Sequence, residues 1–319
     1  MKKAINLYKK VGESPLDAIN RFKEKNAFYK KKKTSYAGRL DPLAEGVLLV
    51  LVGDETKKIN QYLGFDKEYK AEILIGVSSD SHDILGIPYN SLINNSEIDK
   101  EEGNKQASKD GQTIESRYKN GNLVDTEDEK GLINNERDKE KVQRVSELDY
   151  QAESLSSNIK NSEIIKEIKK KIKSLKGIYV QKIPAFSSYK IKGKPMFYYA
   201  LKGQELKEIK KTVKIKKILI NSIYEIKALR LLKIILNKID KVNGDFRQSQ
   251  IKECWKKLLM NFNKTDKGFL VFDITVVCSS GTYIRAIADE IGKNFRGGLL
   301  LSLERIRVGK FNVRDSLRI

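Results

Sequence analysis

Apolar and polar positions along the chain fall into a few segments of clear period. "DAINRFKEK" (17–25) carries Ala18, Ile19 and Phe22 on one helical face. "GVLLVLVG" (46–53) is an apolar run bounded by glycines, and periodicity alone leaves it open as a buried strand or the start of a buried helix. "KEYKAEILIGV" (67–77) alternates and reads as a strand, and "TVKIKKILINSIYEIK" (212–227) is strand-like. "SEIIKEIKKKIKSLKG" (162–177) is an amphipathic helix with Ile164, Ile165, Ile168, Ile172 and Leu175 on one face and Gly177 as its stop. The stretch 228–266 is helical in pattern, and "GFLVFDITVVCSSGTYIRAIADEIG" (268–292) reads as a strand, a tight turn and a helix. No internal repeat is present.

Between Asn90 and Lys160 the pattern is lost. That stretch is rich in Asn, Ser, Glu, Asp and Lys and holds 16 acidic and 11 basic residues. It has too little apolar surface to offset the entropy of ordering it, and it reads as a polar, disordered insertion over 90–161. The expected organisation is one discontinuous catalytic domain, 1–89 with 162–319, carrying a second, helical insertion at 228–266. Charge then sharpens the picture. The formal net charge is +21, and because the polar stretch contributes −5, the remainder carries +26. Such an excess points to a polyanionic partner, nucleic acid first, although a base composition favouring Lys, Ile and Asn also contributes.

Several classes are disfavoured. The two cysteines, Cys254 and Cys278, lie far apart without CxxC spacing, which argues against a disulfide scaffold or zinc site and fits a reducing compartment. The start, MKKAINLYKK, has no apolar core of a signal peptide, and no apolar run reaches about 18 residues. A soluble, cytoplasmic protein with no membrane contact is expected. His82, the sole histidine, has no metal-ligand neighbours and reads as an incidental surface residue.

Four stretches carry candidate chemistry. In "GRLDPLAEGVLLVLVGDETK" (38–57) Asp41 stands before Pro42, which pushes it towards an extended conformation, and after Gly38, which permits close backbone approach. The result is either a rigidly held carboxylate at a cleft mouth or a plain helix cap. "SGTYIRAIADEIG" sets Arg285 on the first turns of a helix, as a surface cation or as the partner that keeps a carboxylate ionised. Tyr69 sits in a strand of alternating charge, as core or as a stacking platform. In "QKIPAFSSYKIKGKPMFYYA" (181–200) aromatics interleave with lysines, a mixture suited to RNA or to a tyrosine-rich hairpin core.

Taken in order, these stretches resemble the TruB-type tRNA pseudouridine synthase family. "GRLDPLAEGVLLVLVGDETK" matches its G-x-L-D-P-x-A-x-G motif, and "DKEYKAEILIGVSSDSHD" resembles its second motif. "GIYVQKIPAFSSYKIKGKPMFYYA", "CSSGTYIRAIADEIG" and "LSLERIRVGKFNV" resemble its later segments. The resemblance covers nearly all of the chain outside the two insertions. It implies an α+β fold with a central mixed, mostly antiparallel sheet flanked by helices. It aligns Asp41 with the catalytic aspartate, Arg285 with that aspartate's partner and Tyr69 with the active-site tyrosine. Tyr283, Leu303 and Lys9 fall on substrate-contacting positions, as does Tyr36, which stands where the family has a histidine. Lys190 and Lys192 are nominated with Lys9 as phosphate contacts. Lys9-Lys10 replaces the family's lysine-proline pair, and no PUA domain is expected after "FNVRDSLRI".

The implied reaction is an isomerisation of uridine 55 in the T-loop of tRNA. The glycosidic C–N bond breaks, the flipped base rotates and a C–C bond forms, with no cofactor or metal. Asp41 serves as nucleophile or in proton transfer, buried and offset by Arg285. The T-arm of tRNA is the expected partner and a monomer the expected state. The rival readings are a ribosomal RNA pseudouridine synthase and a non-catalytic RNA-binding or tRNA-folding module on the same scaffold.

Overall fold

The computed structural model describes residues 4–89, 162–204, 206–263 and 268–319. The chain divides into two compact units, Met1–Ile93 with Lys166–Ile319 and Asn94–Ile165. The polar insertion expected over 90–161 lies outside the described residues.

The first unit is organised on one nine-stranded sheet. In chain order its strands are β1 (Ala4–Lys9), β2 (Thr34–Ala37), β3 (Ala44–Val52), β4 (Lys67–Ile75), β7 (Gly177–Lys182), β10 (Lys210–Lys227), β11 (Gly268–Cys278), β12 (Gly298–Val308) and β13 (Phe311–Asn312). Two small ribbons accompany it: β5 (Ser78–Ser79) with β6 (Pro88–Tyr89), and β8 (Lys190–Ile191) with β9 (Lys194–Pro195). The order along the main sheet is β1-β3-β12-β4-β11-β10-β7, with β2 pairing β3 and β13 pairing β12. Every pairing in this sheet is antiparallel except β12 with β3. With its helices this is the mixed, mostly antiparallel α+β architecture expected.

The apolar run 46–53 resolves as strand. β3 is buried on both faces: Leu48, Val50 and Val52 meet Ile19 and Phe22 of the helix Pro15–Glu24, while Val47, Leu49 and Leu51 meet Ala37 and Val308. Two-sided burial is why alternation is missing there. The helix ahead of it starts on a capping box, with the Ser14 hydroxyl accepting from Asp17 N and the Asp17 carboxylate accepting from Ser14 N. Gly46 is required by closeness: its φ is +104°, and a Cβ there would lie 2.4 Å from Arg305 O of β12.

The stretch 228–266 forms the helices Ala228–Ile239 and Gln248–Asn263. Leu231, Ile235, Ile251 and Trp255 close an apolar cluster with Leu74 and Val271 of the sheet and with Ile84. Trp255 is fully buried, and its indole donates to Ile84 O at 3.1 Å. An insertion by sequence pattern, this pair of helices is integral by packing. The helix over 162–174 buries Ile168 and Ile172, leaves Ile164 exposed and is followed by Gly177, whose φ of +113° turns the chain into β7.

Candidate active site

Asp41 is placed by a loop that two buried cations hold from behind. Gly38 turns the chain with φ +83°, and its carbonyl accepts from Arg305 Nη2 at 2.9 Å, while Arg305 Nε donates to Val47 O at 2.8 Å. On the far side of Asp41, Lys9 Nζ donates to Pro42 O at 3.1 Å and Ala44 O at 2.6 Å. Each cation trades hydration for backbone carbonyls, which leaves the Asp41 loop few conformations.

Opposite the loop, the turn Ser279–Thr282 delivers the helix Ile284–Gly292. Gln181, fully buried on β7, clamps this turn by donating to Gly281 O at 2.8 Å and accepting from Tyr283 N at 3.0 Å. The clamp sets Arg285, 4 % exposed, against two carboxylates: Nε lies 2.9 Å from Asp41 Oδ2 and 3.7 Å from Asp83 Oδ2. The Asp41 contact is an ion pair whose geometry falls short of an aligned hydrogen bond. The rest of the guanidinium is directed elsewhere, Nη1 donating to Ser81 O at 2.7 Å and Nη2 to Phe186 O at 3.2 Å. Arg285 is thus a four-way joint, with both terminal nitrogens of its guanidinium spent on backbone carbonyls.

The two carboxylates differ in setting. Asp83 is buried and accepts from Ser81 Oγ at 2.6 Å and Leu85 N at 3.0 Å. Burial nonetheless holds its pKa above the ordinary carboxylate range. Asp41 departs from the buried carboxylate expected: its side chain keeps 36 % exposure, and only its partner is sunk. For Arg285, burial favours the neutral form, but Asp41 and Asp83 outweigh it and raise the pKa, so the guanidinium is always charged.

Asp41, Arg285, Tyr69, Tyr283 and Leu303 line one cavity of about 270 Å³, with Lys67 and Arg305 on its wall. Tyr69 is 8 % exposed, and burial pushes its hydroxyl up to about 12 despite the Arg305 guanidinium beside it. Burial also raises the Tyr283 hydroxyl. Lys67 is buried, donates to Leu63 O and Phe65 O, and is drawn down to about 8 by desolvation. The cavity thus combines an anchored anion, two rings kept neutral and a leucine, enough to grip one planar base and act on the atom facing Asp41.

Other expected site residues stand apart. Lys9 is 0 % exposed and its ammonium is committed to three carbonyls, so it cannot meet a phosphate; the lysine positions the Asp41 loop instead. Tyr36 packs against the apolar cluster of Phe22 and Val50 and is not among the cavity-lining residues, because its place in β2 opposite Val50 points it to that face. Lys190 and Lys192 are exposed on the β8–β9 hairpin, outside the cavity. His82 is more than an incidental surface residue: its φ is +60°, its side chain is 24 % exposed, and Nδ1 lies 3.2 Å from Asp289 Oδ1. Asp83, Gln181 and Arg305 went unsingled by sequence reasoning. All three lie in quoted motifs, but a buried polar role leaves no mark on a hydropathy pattern.

A carboxylate held by a sunken arginine in a cavity lined by two tyrosines, in a basic α+β chain, is an arrangement suited to enzyme chemistry on a planar base. Comparison with known proteins gives the same class. A family model described as TruB family pseudouridylate synthase (N terminal domain) matches residues 25–117 and 141–232, more than half of the chain. The chain belongs to the TruB family of pseudouridylate synthases. Among curated relatives, tRNA pseudouridine synthase B of Clostridium kluyveri is 23 % identical over 316 residues, which cover 99 % of this chain and 70 % of that protein. The protein of the same name from Parabacteroides distasonis is 26 % identical over 298 residues, covering 92 % and 80 %. Of solved structures, a chain in a Cbf5–Nop10–Gar1 complex aligns with 97 % of this chain at 16 % identity and a TM-score of 0.44; this chain spans about half of that one, 49 %.

Proposed function

We propose that this chain isomerises uridine 55 to pseudouridine in the T-loop of tRNA, with Asp41 as the catalytic carboxylate. The observation that carries the reading is the pairing of Asp41 with buried Arg285 at a cavity whose other walls are Tyr69, Tyr283 and Leu303. At about 270 Å³ the cavity is below the ~300–1,000 Å³ typical of drug-sized ligands, so it takes one nucleotide flipped out of its stack, not a run of them. The names of the curated relatives support tRNA as the substrate.

In this scheme the flipped uracil stacks on Tyr69 and Leu303, and Asp41 acts on the nucleoside as nucleophile at the sugar or by proton transfer. Arg285 holds and orients Asp41 while leaving the carboxylate partly open to the cavity. Tyr69, neutral at physiological pH, hydrogen-bonds without competing as an anion. Both substrate and product stay on the RNA, so the chain needs only to hold, cleave, rotate and rejoin. The test is turnover on a T-arm stem-loop. Asp41→Asn should abolish conversion while binding stays within about tenfold, because the carboxylate acts on the bond and not on the phosphates. Full conversion by the variant would remove Asp41 from the mechanism. Conversion of a ribosomal hairpin in place of the T-arm would favour the first rival reading, and RNA binding without wild-type turnover the second.

A further inference from the structure

Outside the cavity, the most concentrated unpartnered charge among the described residues is the run Lys30-Lys31-Lys32-Lys33, which joins the helix Ala27–Lys30 to β2. All four side chains are exposed, and none forms an ion pair. The carboxylate that feels Lys33, Asp54, is itself engaged by Lys57 at 2.9 Å. The backbone beneath the run is fixed, since Lys33 O accepts from Gly53 N at 2.8 Å and Lys32 O from Lys23 Nζ at 3.0 Å. Four like charges on a pinned strip repel one another, and Asp54 near Lys33 and the Phe28 ring under Lys32 offset that cost only in part.

The strip is aimed at the site. β2 runs from Thr34 to Ala37, and Gly38 lines the cavity. Five residues at about 3.3 Å each place Lys33 some 16 Å from the cavity rim. Over that distance a nucleic-acid duplex, with about one charge per 1.7 Å of axis, presents on the order of ten phosphates. The local chemistry selects phosphate over base. Lysines are point charges suited to backbone contact, and the one exposed ring, Phe28, is turned edge-on to Tyr29 and covered by Lys32 at 5.4 Å.

We propose that Lys30–Lys33 form a docking strip for the phosphate backbone of a duplex RNA stem, separate from the cavity that takes the base. This rests on the RNA reading above. The strip reads stem length, not sequence: a substrate whose stem reaches it gains affinity, and one whose stem stops short does not.

The experiment uses the full chain and two synthetic hairpins sharing one loop, with stems of about four and about ten base pairs, at several salt concentrations. The wild type should bind the long hairpin at least tenfold more tightly at low salt. Lys30→Gln, Lys31→Gln, Lys32→Gln and Lys33→Gln combined should erase that gain and flatten the log–log salt slope for the long stem by about 2–3, at roughly 0.9 per phosphate lost. The quadruple Lys→Arg variant should keep it. An unchanged melting temperature shows that the glutamine variant folds, as exposed positions predict. Retention of the stem-length gain by the glutamine variant would overturn the proposal. So would an equal loss on both hairpins, or selective loss of binding to anionic phospholipid vesicles. Because affinity is read without turnover, a chain that bound both hairpins by stem length but never converted them would refute the proposed function and leave the strip standing.

Discussion

Arg285→Met is the perturbation that most directly tests the site, because the two carboxylates on Arg285 are unequally able to lose it. Methionine keeps the bulk of the arm and removes the charge. Asp41, 36 % exposed, can take up water; Asp83, 9 % exposed, cannot. Removing one partner of a buried ion pair costs about 3–5 kcal/mol, and the carbonyls of Ser81 and Phe186 also lose their donors. At roughly 2–4 °C per kcal/mol for a domain of this size, the melting temperature should fall by about 10 °C at neutral pH.

The pH dependence tells this loss from mere loss of packing. Asp83's pKa is raised in the folded state, so the folded chain retains a proton that the unfolded chain has released. Stability from this group therefore falls as pH rises from the ordinary carboxylate range through the raised value. Without Arg285 the raised value climbs further, and the window widens upward. Calorimetric melting of wild type and variant between about pH 5 and pH 8 should show the smaller difference at the acid end, where Asp83 carries more of its proton. Adding Asp83→Asn to Arg285→Met should recover part of the loss at pH 8 and little at pH 5. A melting difference that is constant or grows towards acid would refute the assignment of Asp83 as the stranded charge.

Two further perturbations separate structural cations and the helical pair from the RNA surface. Burial draws the Lys9 ammonium down to about 8, so the unfolded chain binds the extra proton above that value and wild-type stability should rise from about pH 8 to 9.5, before tyrosines such as Tyr69 oppose it. Lys9→Met should blunt that rise, which Lys67 also feeds, and leave the salt slope of RNA binding unchanged; a flattened slope would return Lys9 to the phosphate surface. Trp255→Ala should cost about 3–5 kcal/mol by urea unfolding, since it empties a fully buried site and frees Ile84 O. A change under about 1 kcal/mol would mean that the helices of 228–266 are peripheral to the fold.

What was legible in the sequence follows from what each signal measures. Alternation in 67–77 and 212–227 gave strands because β4 and β10 each keep one face partly polar. The run at 46–53 stayed ambiguous because β3 is buried on both faces, and a continuous apolar run carries no period. The helices of 228–266 were legible as helices, yet their place in the core was not, because an amphipathic stripe shows that a face is buried without saying against what. Trp255 meets Ile84, and that distant partner leaves no local trace.

The site divides along the same line. Asp41, Tyr69, Tyr283, Arg285 and Leu303 came from motif order, and the fold gathers all five around one cavity. Lys9 was misplaced on the RNA surface because a lysine in a basic chain reads as exposed by default, and only three-dimensional structure shows the carbonyls that take it in. Tyr36 was assigned by alignment to the cleft, but strand parity turns it to the Phe22 face. Both errors have one source. Net charge and motif position say which residue types are present and in what order, whereas the direction of a side chain is set by pairing partners far along the chain. The same logic bears on the +26 carried outside residues 90–160. Lys9 and Lys67 spend their charge on buried carbonyls, so the total overstates the phosphate-tracking surface, and exposed, unpaired lysines such as Lys30–Lys33 are where that surface has to be sought.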